Sequence, residues 1–94
     1  MSDTCRSSGE ITASATLVDG RGLLSGVLVI TNGTNDATII LYDNNAASGD
    51  KLFEAVVAGA NNAVLFPFEK KVLAENGIYV SVAGTGASCI VYHG

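Results

Sequence analysis

Two apolar runs joined by a short polar turn constrain this chain more than any other feature. The runs are residues 23–31 and 37–42, and the turn between them contains Asn32-Gly33. Asn-Gly is a frequent turn dipeptide between strands, because both residues tolerate the positive φ angles of tight turns. We therefore predict that the two runs are strands paired as a hairpin, with a connection of about four or five residues.

Neither run alternates between apolar and polar residues. Residues 27–30 are all apolar, and so are residues 39–41. A strand with one face in a core and the other in water should alternate, so both strands are predicted to be covered on both faces. A domain of this size buries only somewhat over ~60% of its unfolded surface and has little chain to spare for that cover. The missing cover is predicted to be another copy of the protein or a larger partner.

The rest of the chain predicts one all-β domain. Residues 1–9 are small and polar and are expected to form an extended N-terminal arm, with a β-sandwich over residues 10–94. Further strands, separated by turns that contain Gly, Asn or Asp, are predicted at residues 10–18, 51–58, 63–68, 78–83 and 87–92. About seven to eight short strands without a helix of crossover length indicate a single antiparallel sandwich, jelly-roll-like in type.

Several single residues carry local predictions. Gly26, inside the first apolar run, predicts a bulge or a close backbone approach. Pro67 predicts that its strand lies at a sheet edge or stops there, because proline cannot donate to the ladder. Residues 69–76 are the most helix-like stretch, and either one helical turn or an irregular crossing is expected there. Cys5 and Cys89 are too few for a disulfide scaffold, and a buried, reduced Cys89 is favoured over a pair between them.

Composition narrows the classes of function. The sequence is 48% hydrophobic but only 15% charged, and its formal net charge is −4. An acidic chain with few, scattered cations is not expected to bind nucleic acid or an anionic membrane. No apolar run approaches the ~18 residues needed to cross a bilayer. The first ten residues lack the apolar core of a signal peptide, so the chain is expected to be made in a cytoplasm and to stay there unless lysis releases it.

Neither the lone histidine nor the tyrosines predict an active site. His93 is the only histidine, and a catalytic base needs a nucleophile or an acid held beside it. Tyr42, Tyr79 and Tyr92 could form an aromatic platform for a sugar, but tyrosines at strand ends more often cover a core or an interface. We expect no catalytic residues, no cofactor and no enzymatic activity.

One stretch gathers oxygens that a calcium ion could use. It contains Asp43, Asn44, Asn45, Asp50 and Glu54. The spacing does not fit a calcium-binding EF-hand loop, because its glycine comes one position too late. Solvated turn residues are the better interpretation, so no metal site is expected.

The order of these elements resembles small virion proteins of tailed bacteriophages. The resemblance is carried by GLLSGVLVITNGTNDATIILYDN, then a KLFE strand, then FPFEKKVLAENGIYVSVAGTGASCIVYH. It covers roughly residues 15–93, mostly through glycine, asparagine and strand residues that are structural in kind.

This resemblance implies a structural role without chemistry. Similar phage proteins are β-sandwiches or jelly rolls that act as capsid cement on the shell surface, typically as homotrimers bound to the major capsid protein. A tail or neck component is the alternative within the same class, and a small carbohydrate-binding module is the alternative from another class. The residues expected at an interface are Leu28, Ile30, Ile40, Tyr42, Tyr92 and His93.

Overall fold

Strands make up most of the chain in the computed structural model, which describes residues 6–93. The strands are β1 (Arg6–Ile11), β2 (Ala15–Asp19), β3 (Gly22–Ile30), β4 (Ala37–Tyr42), β5 (Lys51–Val57), β6 (Ala63–Ala74), β7 (Gly77–Ala83) and β8 (Ser88–His93). A single 3₁₀ turn, Gly59–Asn61, precedes β6. Among the described residues no helix is long and apolar enough to span a membrane.

The strands form two antiparallel sheets of four strands each. Sheet 1 has the order β1-β8-β3-β6, and sheet 2 has the order β2-β7-β4-β5. Chain neighbours such as β1 and β2, or β7 and β8, lie in opposite sheets. This strand order is that of a jelly roll, in which the chain passes repeatedly from one sheet to the other. The predicted fold class, a single antiparallel β-sandwich of jelly-roll type, is confirmed.

The core lies between the sheets and consists of small aliphatic side chains. Alternate residues of β3, β4, β7 and β8 point inward, and their neighbours point outward. The residues buried in this core are Leu24, Val27, Val29, Ala37, Ile39, Leu41, Val57, Ala74, Ile78, Val80, Ala87, Cys89 and Val91. The three phenylalanine rings lie at the side where β5 and β6 are the edge strands. There the ring centroid of Phe53 is 5.2 Å from that of Phe66 and 5.8 Å from that of Phe68.

The two apolar runs are strands β3 and β4, but the prediction that they pair with each other is wrong. β3 pairs with β6 and β8 in sheet 1, whereas β4 pairs with β5 and β7 in sheet 2. The turn between them has the predicted positive φ at Gly33, 90°. Its Asn32 Oδ1 accepts hydrogen bonds from the backbone N–H of Thr34 and Asn35, at 2.9 and 2.8 Å. The turn therefore carries the chain across the sandwich and not back along the same sheet.

Within the single chain, β3 and β4 are not covered on both faces. Their inner faces are buried, and the outward residues Leu28, Ile30, Ile40 and Tyr42 stay partly exposed. Any further cover must come from outside residues 6–93.

The single strand predicted over residues 10–18 is also wrong, because the chain changes sheets within it. β1 ends at Ile11, opposite Cys89 of sheet 1, and β2 begins at Ala15, opposite Val80 of sheet 2. Residues 6–9 of the expected N-terminal arm lie in β1 and pair with β8. Residues 1–5, including Cys5, lie outside the described residues.

The most helix-like stretch, residues 69–76, does not form a helical turn, because strand β6 continues through it to Ala74. The strand spans Ala63–Ala74 and is interrupted in register by a bulge. It is an edge strand of sheet 1, as Pro67 predicts, but it does not stop at the proline.

The register of β3 shifts at Gly26 against both of its neighbours, β6 and β8, which confirms the bulge predicted there. Gly26 lies opposite Pro67 and Leu24 opposite Val72, so residues 68–71 form a long bulge in β6. A Cβ atom on Gly26 would lie 3.2 Å from the carbonyl oxygen of Phe66. The glycine thus marks both a break in register and a close backbone approach.

Candidate interaction surface

The outer face of sheet 1 is lined by apolar side chains. Val27 and Val29 of β3 point into the core, so the intervening Leu28 points outward. The register places Ile90 of β8 opposite Leu28 on one side and Leu65 of β6 opposite it on the other. Three aliphatic side chains from three strands therefore form one row across the sheet.

Rows on both sides of this one extend the surface. Ile30 is flanked by Ser88 and Ala63, and Gly26 by Tyr92 and Pro67; beyond the bulge, Leu23 pairs with Leu73. We call the set the apolar face. It consists of Leu23, Leu28, Ile30, Leu65, Leu73, Ile90 and Tyr92.

The apolar face is open to solvent in the single chain, most of all along β6. The side chain of Leu65 is 54% exposed and that of Leu73 is 43% exposed. In the rows of Leu28 and Ile30, which are fully described, the one charged residue is Glu10 at the β1 edge. Its Oε2 accepts a hydrogen bond of 2.8 Å from the Ser88 hydroxyl. Charge is thus confined to one rim of these rows.

The outer face of sheet 2 has a different character. Polar and charged side chains are mixed there with apolar ones, and the outward residues are Thr16, Thr38, Ile40, Tyr42, Lys51, Glu54, Val56, Tyr79, Ser81 and Ala83. The Lys51 ammonium and the Glu54 carboxylate form an exposed ion pair of 3.1 Å. Polar side chains are expected on the face of an antiparallel sheet that lies in water. The two outer faces therefore differ in what they can bind.

The six residues expected at an interface do not lie on one surface. Leu28, Ile30 and Tyr92 belong to the apolar face, whereas Ile40 and Tyr42 lie on the opposite side of the sandwich. The sixth, His93, ends β8 opposite Leu24 and Arg6 and is partly buried.

Sequence reasoning missed Leu65, Leu73 and Ile90. The signal for Ile90 was available, because Cys89 is predicted to be buried and its neighbour along a strand points to the opposite face. Leu65 similarly alternates with Val64 and Phe66, which pack against the core.

The tyrosines do not form a three-membered platform. Tyr42 and Tyr79 lie directly opposite each other on β4 and β7. Tyr92 lies on the other sheet. Only a two-tyrosine cluster remains as an aromatic site.

The oxygen-rich stretch after β4 is engaged in turn structure. The Asp43 carboxylate accepts a hydrogen bond of 2.8 Å from the backbone N–H of Asn76, and the Asn44 amide donates to the Ser48 carbonyl oxygen at 3.1 Å. In the part of the chain that the structure describes, no three His, Cys, Asp or Glu side chains come together in a group that could hold a metal ion.

Cys89 is buried and free, as expected. It lies fully enclosed in the core on β8, and burial raises the pKa of its thiol to about 11. A thiol that stays protonated at neutral pH and is closed to solvent is a poor nucleophile. Its role is packing.

Comparison with protein-family models, with curated proteins and with solved structures found no match.

Proposed function

We propose that this protein is a structural virion protein of a tailed bacteriophage, a capsid cement protein that binds the major capsid protein and stabilises the shell. The apolar face is the observation that carries the proposal. It presents aliphatic side chains to solvent on one side of a small, otherwise well-formed sandwich. Exposed apolar patches of this kind mark association sites. The resemblance in sequence supplies the class of partner.

The mechanism is the burial of surface. Each 100 Å² of apolar surface removed from water contributes about 2.5 kcal/mol before the costs of association are subtracted. An oligomer, expected as a homotrimer, presents several copies of one weak contact to a repeating shell. Effective concentration then makes the combined attachment much tighter than a single contact. In this role the protein catalyses no reaction and requires no cofactor, metal, nucleic acid or membrane.

Attachment of this kind should resist salt. At 1 M salt the Debye length falls to ~3 Å, which screens exposed charge pairs but leaves apolar burial intact or stronger. Particles washed in high salt and pelleted should therefore retain the protein on the capsid. Release by salt alone would show that charge pairs hold it.

The decisive experiment is to find the protein in purified particles. Mass spectrometry of virions should detect it in many copies, and electron microscopy should place it on the capsid surface. Particles that lack it should lose their DNA at a lower temperature than wild-type particles. Its absence from virions would overturn the proposal, and a position in the tail or neck would select the alternative structural role.

The Tyr42–Tyr79 pair supports a second candidate, a small sugar-binding module. Two rings on adjacent strands of an exposed sheet face can stack on a sugar. A glycan-binding screen tests this, with Tyr79→Ala as the variant that should lose binding and Tyr92→Ala, on the other sheet, as its control.

A further inference from the structure

We propose that a second copy of this chain packs on the apolar face, so that the outer faces of two sheets 1 stack against each other. The inference rests on the proposed function only for the association of copies, and it replaces the expected homotrimer with a dimer in which the apolar face is covered and a shell would contact other surfaces. It does not depend on attachment to a capsid. It assigns the contact between copies to sheet 1 and leaves the outer face of sheet 2 open.

The area of the face suits a stable contact. The molecule measures 38 × 30 × 18 Å, so its two broad sides are its largest flat surfaces. The four strands of sheet 1 contain 33 residues, and at ~3.3 Å per residue and ~4.8 Å between strands they give a projected area of ~520 Å². Two copies would then bury ~1,000 Å², which reaches the area expected of a biological interface.

The chemistry of the face suits a second copy better than a charged partner. A charged group pressed against Leu28, Ile30 or Ile90 would lose its hydration without gaining a counter-charge. Apart from Glu10, the rows of Leu28 and Ile30 on another copy carry no charge. Glu10 lies at the β1 rim, where it can stay hydrated when the centre of the face is covered. Each copy carries a formal net charge of −4, so two copies meet least repulsion at the rows of Leu28 and Ile30, whose one charge lies at the rim.

A contact of this type also closes on itself. When both copies use the same surface, each covers the other's exposed leucines, and no second apolar surface stays open to bind further chains. Side chains of stacked sheets interdigitate at a spacing of ~10 Å, as they do inside a sandwich. The small, exposed Ala63, opposite Ile30 on the edge strand, leaves room for a facing side chain.

Two matched lysine substitutions test the inference. Leu65 and Val56 are both exposed apolar residues on edge strands, 54% and 65% exposed, but Leu65 lies on the apolar face and Val56 on the outer face of sheet 2. Sedimentation velocity at micromolar concentration should show wild type and Val56→Lys as oligomers. Leu65→Lys should sediment as a single chain of 9.6 kDa. Circular dichroism checks that each variant is folded.

Leu73→Lys provides a second variant on the same face if Leu65→Lys does not fold. A folded variant of either kind that still associates like wild type would overturn the inference. So would loss of association in Val56→Lys as well.

The outcomes also separate this inference from the proposed function. Wild-type protein that is a monomer in solution but present on purified virions would overturn the self-contact and leave the capsid role standing, with the shell itself covering the face. An oligomer broken by Leu65→Lys but absent from virions would support the self-contact and overturn the capsid role.

Discussion

Replacing Thr31 with valine removes one hydroxyl from a buried junction while keeping the shape of the side chain. Thr31 follows β3 and is 7% exposed. Its Oγ1 donates to the carbonyl oxygen of Gly59 at 2.7 Å, lies 3.2 Å from that of Asn62, and accepts from the backbone N–H of Gly33 at 3.2 Å. The hydroxyl thus joins the turn after β3 to the 3₁₀ turn before β6.

The expected loss of stability follows from the backbone groups that the Thr31 hydroxyl no longer bonds. A buried hydrogen-bonding group that loses its partner costs ~1–3 kcal/mol. The Gly59 carbonyl oxygen loses its short bond from the hydroxyl and keeps only a longer one from the backbone N–H of Asn62, at 3.3 Å. The backbone N–H of Gly33 loses its acceptor, whereas the Asn62 carbonyl oxygen keeps the backbone N–H of Thr31 at 2.6 Å. We therefore expect Thr31→Val to lower the free energy of unfolding by about 1–2 kcal/mol. In a domain of this size that corresponds to a fall in Tm of roughly 4–16 °C.

The assay is thermal and urea unfolding followed by circular dichroism. All samples are measured at one protein concentration, because association makes Tm depend on concentration. Thr38→Val is the matched control, since Thr38 lies on the outer face of β4 and its substitution should change stability by no more than about 0.5 kcal/mol. Equal stability of Thr31→Val and Thr38→Val would refute the reasoning.

Three further predictions concern a turn, the buried thiol and metal ions. Gly84 has a φ of 112°, and a Cβ atom there would collide with the carbonyl oxygen of Asp36, so Gly84→Ala should lower Tm more than Gly20→Ala, where φ is 110° but no atom lies within 4 Å. Burial raises the pKa of the Cys89 thiol from 9.0 to about 11. The stability gained from its neutral form is therefore complete below pH 9 and is lost as pH rises through 11, and urea titrations across that range should show a steeper decline in wild type than in Cys89→Ala. Thermal unfolding should be the same with and without a chelator, because Asp43 is already engaged by a backbone N–H; a shift of several degrees would reveal a bound metal.

The positions of most strands could be predicted because they are local properties of the sequence. Apolar β-branched residues ended by Gly and Asn mark β3, β4, β5, β7 and β8 to within about two residues, and Gly26 marks the bulge. The pairing of β3 with β6 and β8 could not be predicted in this way. It is fixed by contacts between residues far apart in the sequence, and a turn such as Asn32-Gly33 can either pair two strands or carry the chain to the opposite sheet.

The helix-like stretch shows local preference yielding to tertiary structure. Residues 69–76 contain good helix formers, yet Val72, Leu73 and Ala74 pair with β3 instead. Packing against a sheet routinely outweighs helix propensities of less than ~1 kcal/mol per residue.

Only part of the apolar face could be predicted from the sequence. The lack of alternation in residues 27–30 pointed to outward Leu28 and Ile30. It could not show that the outward residues of β4 lie on the opposite side of the molecule.

The pairing of β1 with β8 has a consequence for synthesis. Arg6 lies opposite His93 and Ile11 opposite Cys89, so the first described strand cannot find its partner until nearly the whole chain has been made. At ~5–20 residues per second, translating the ~80 residues between them takes roughly 4–16 s. The β4–β5 hairpin of sheet 2 can form early in that interval, whereas sheet 1 stays incomplete, with β3 lacking both of its neighbours. Such long-range pairing also slows folding itself. The apolar residues of sheet 1 are therefore exposed longest on the ribosome. Chaperones that bind nascent chains should contact residues 23–30 until β6 and β8 have paired with β3.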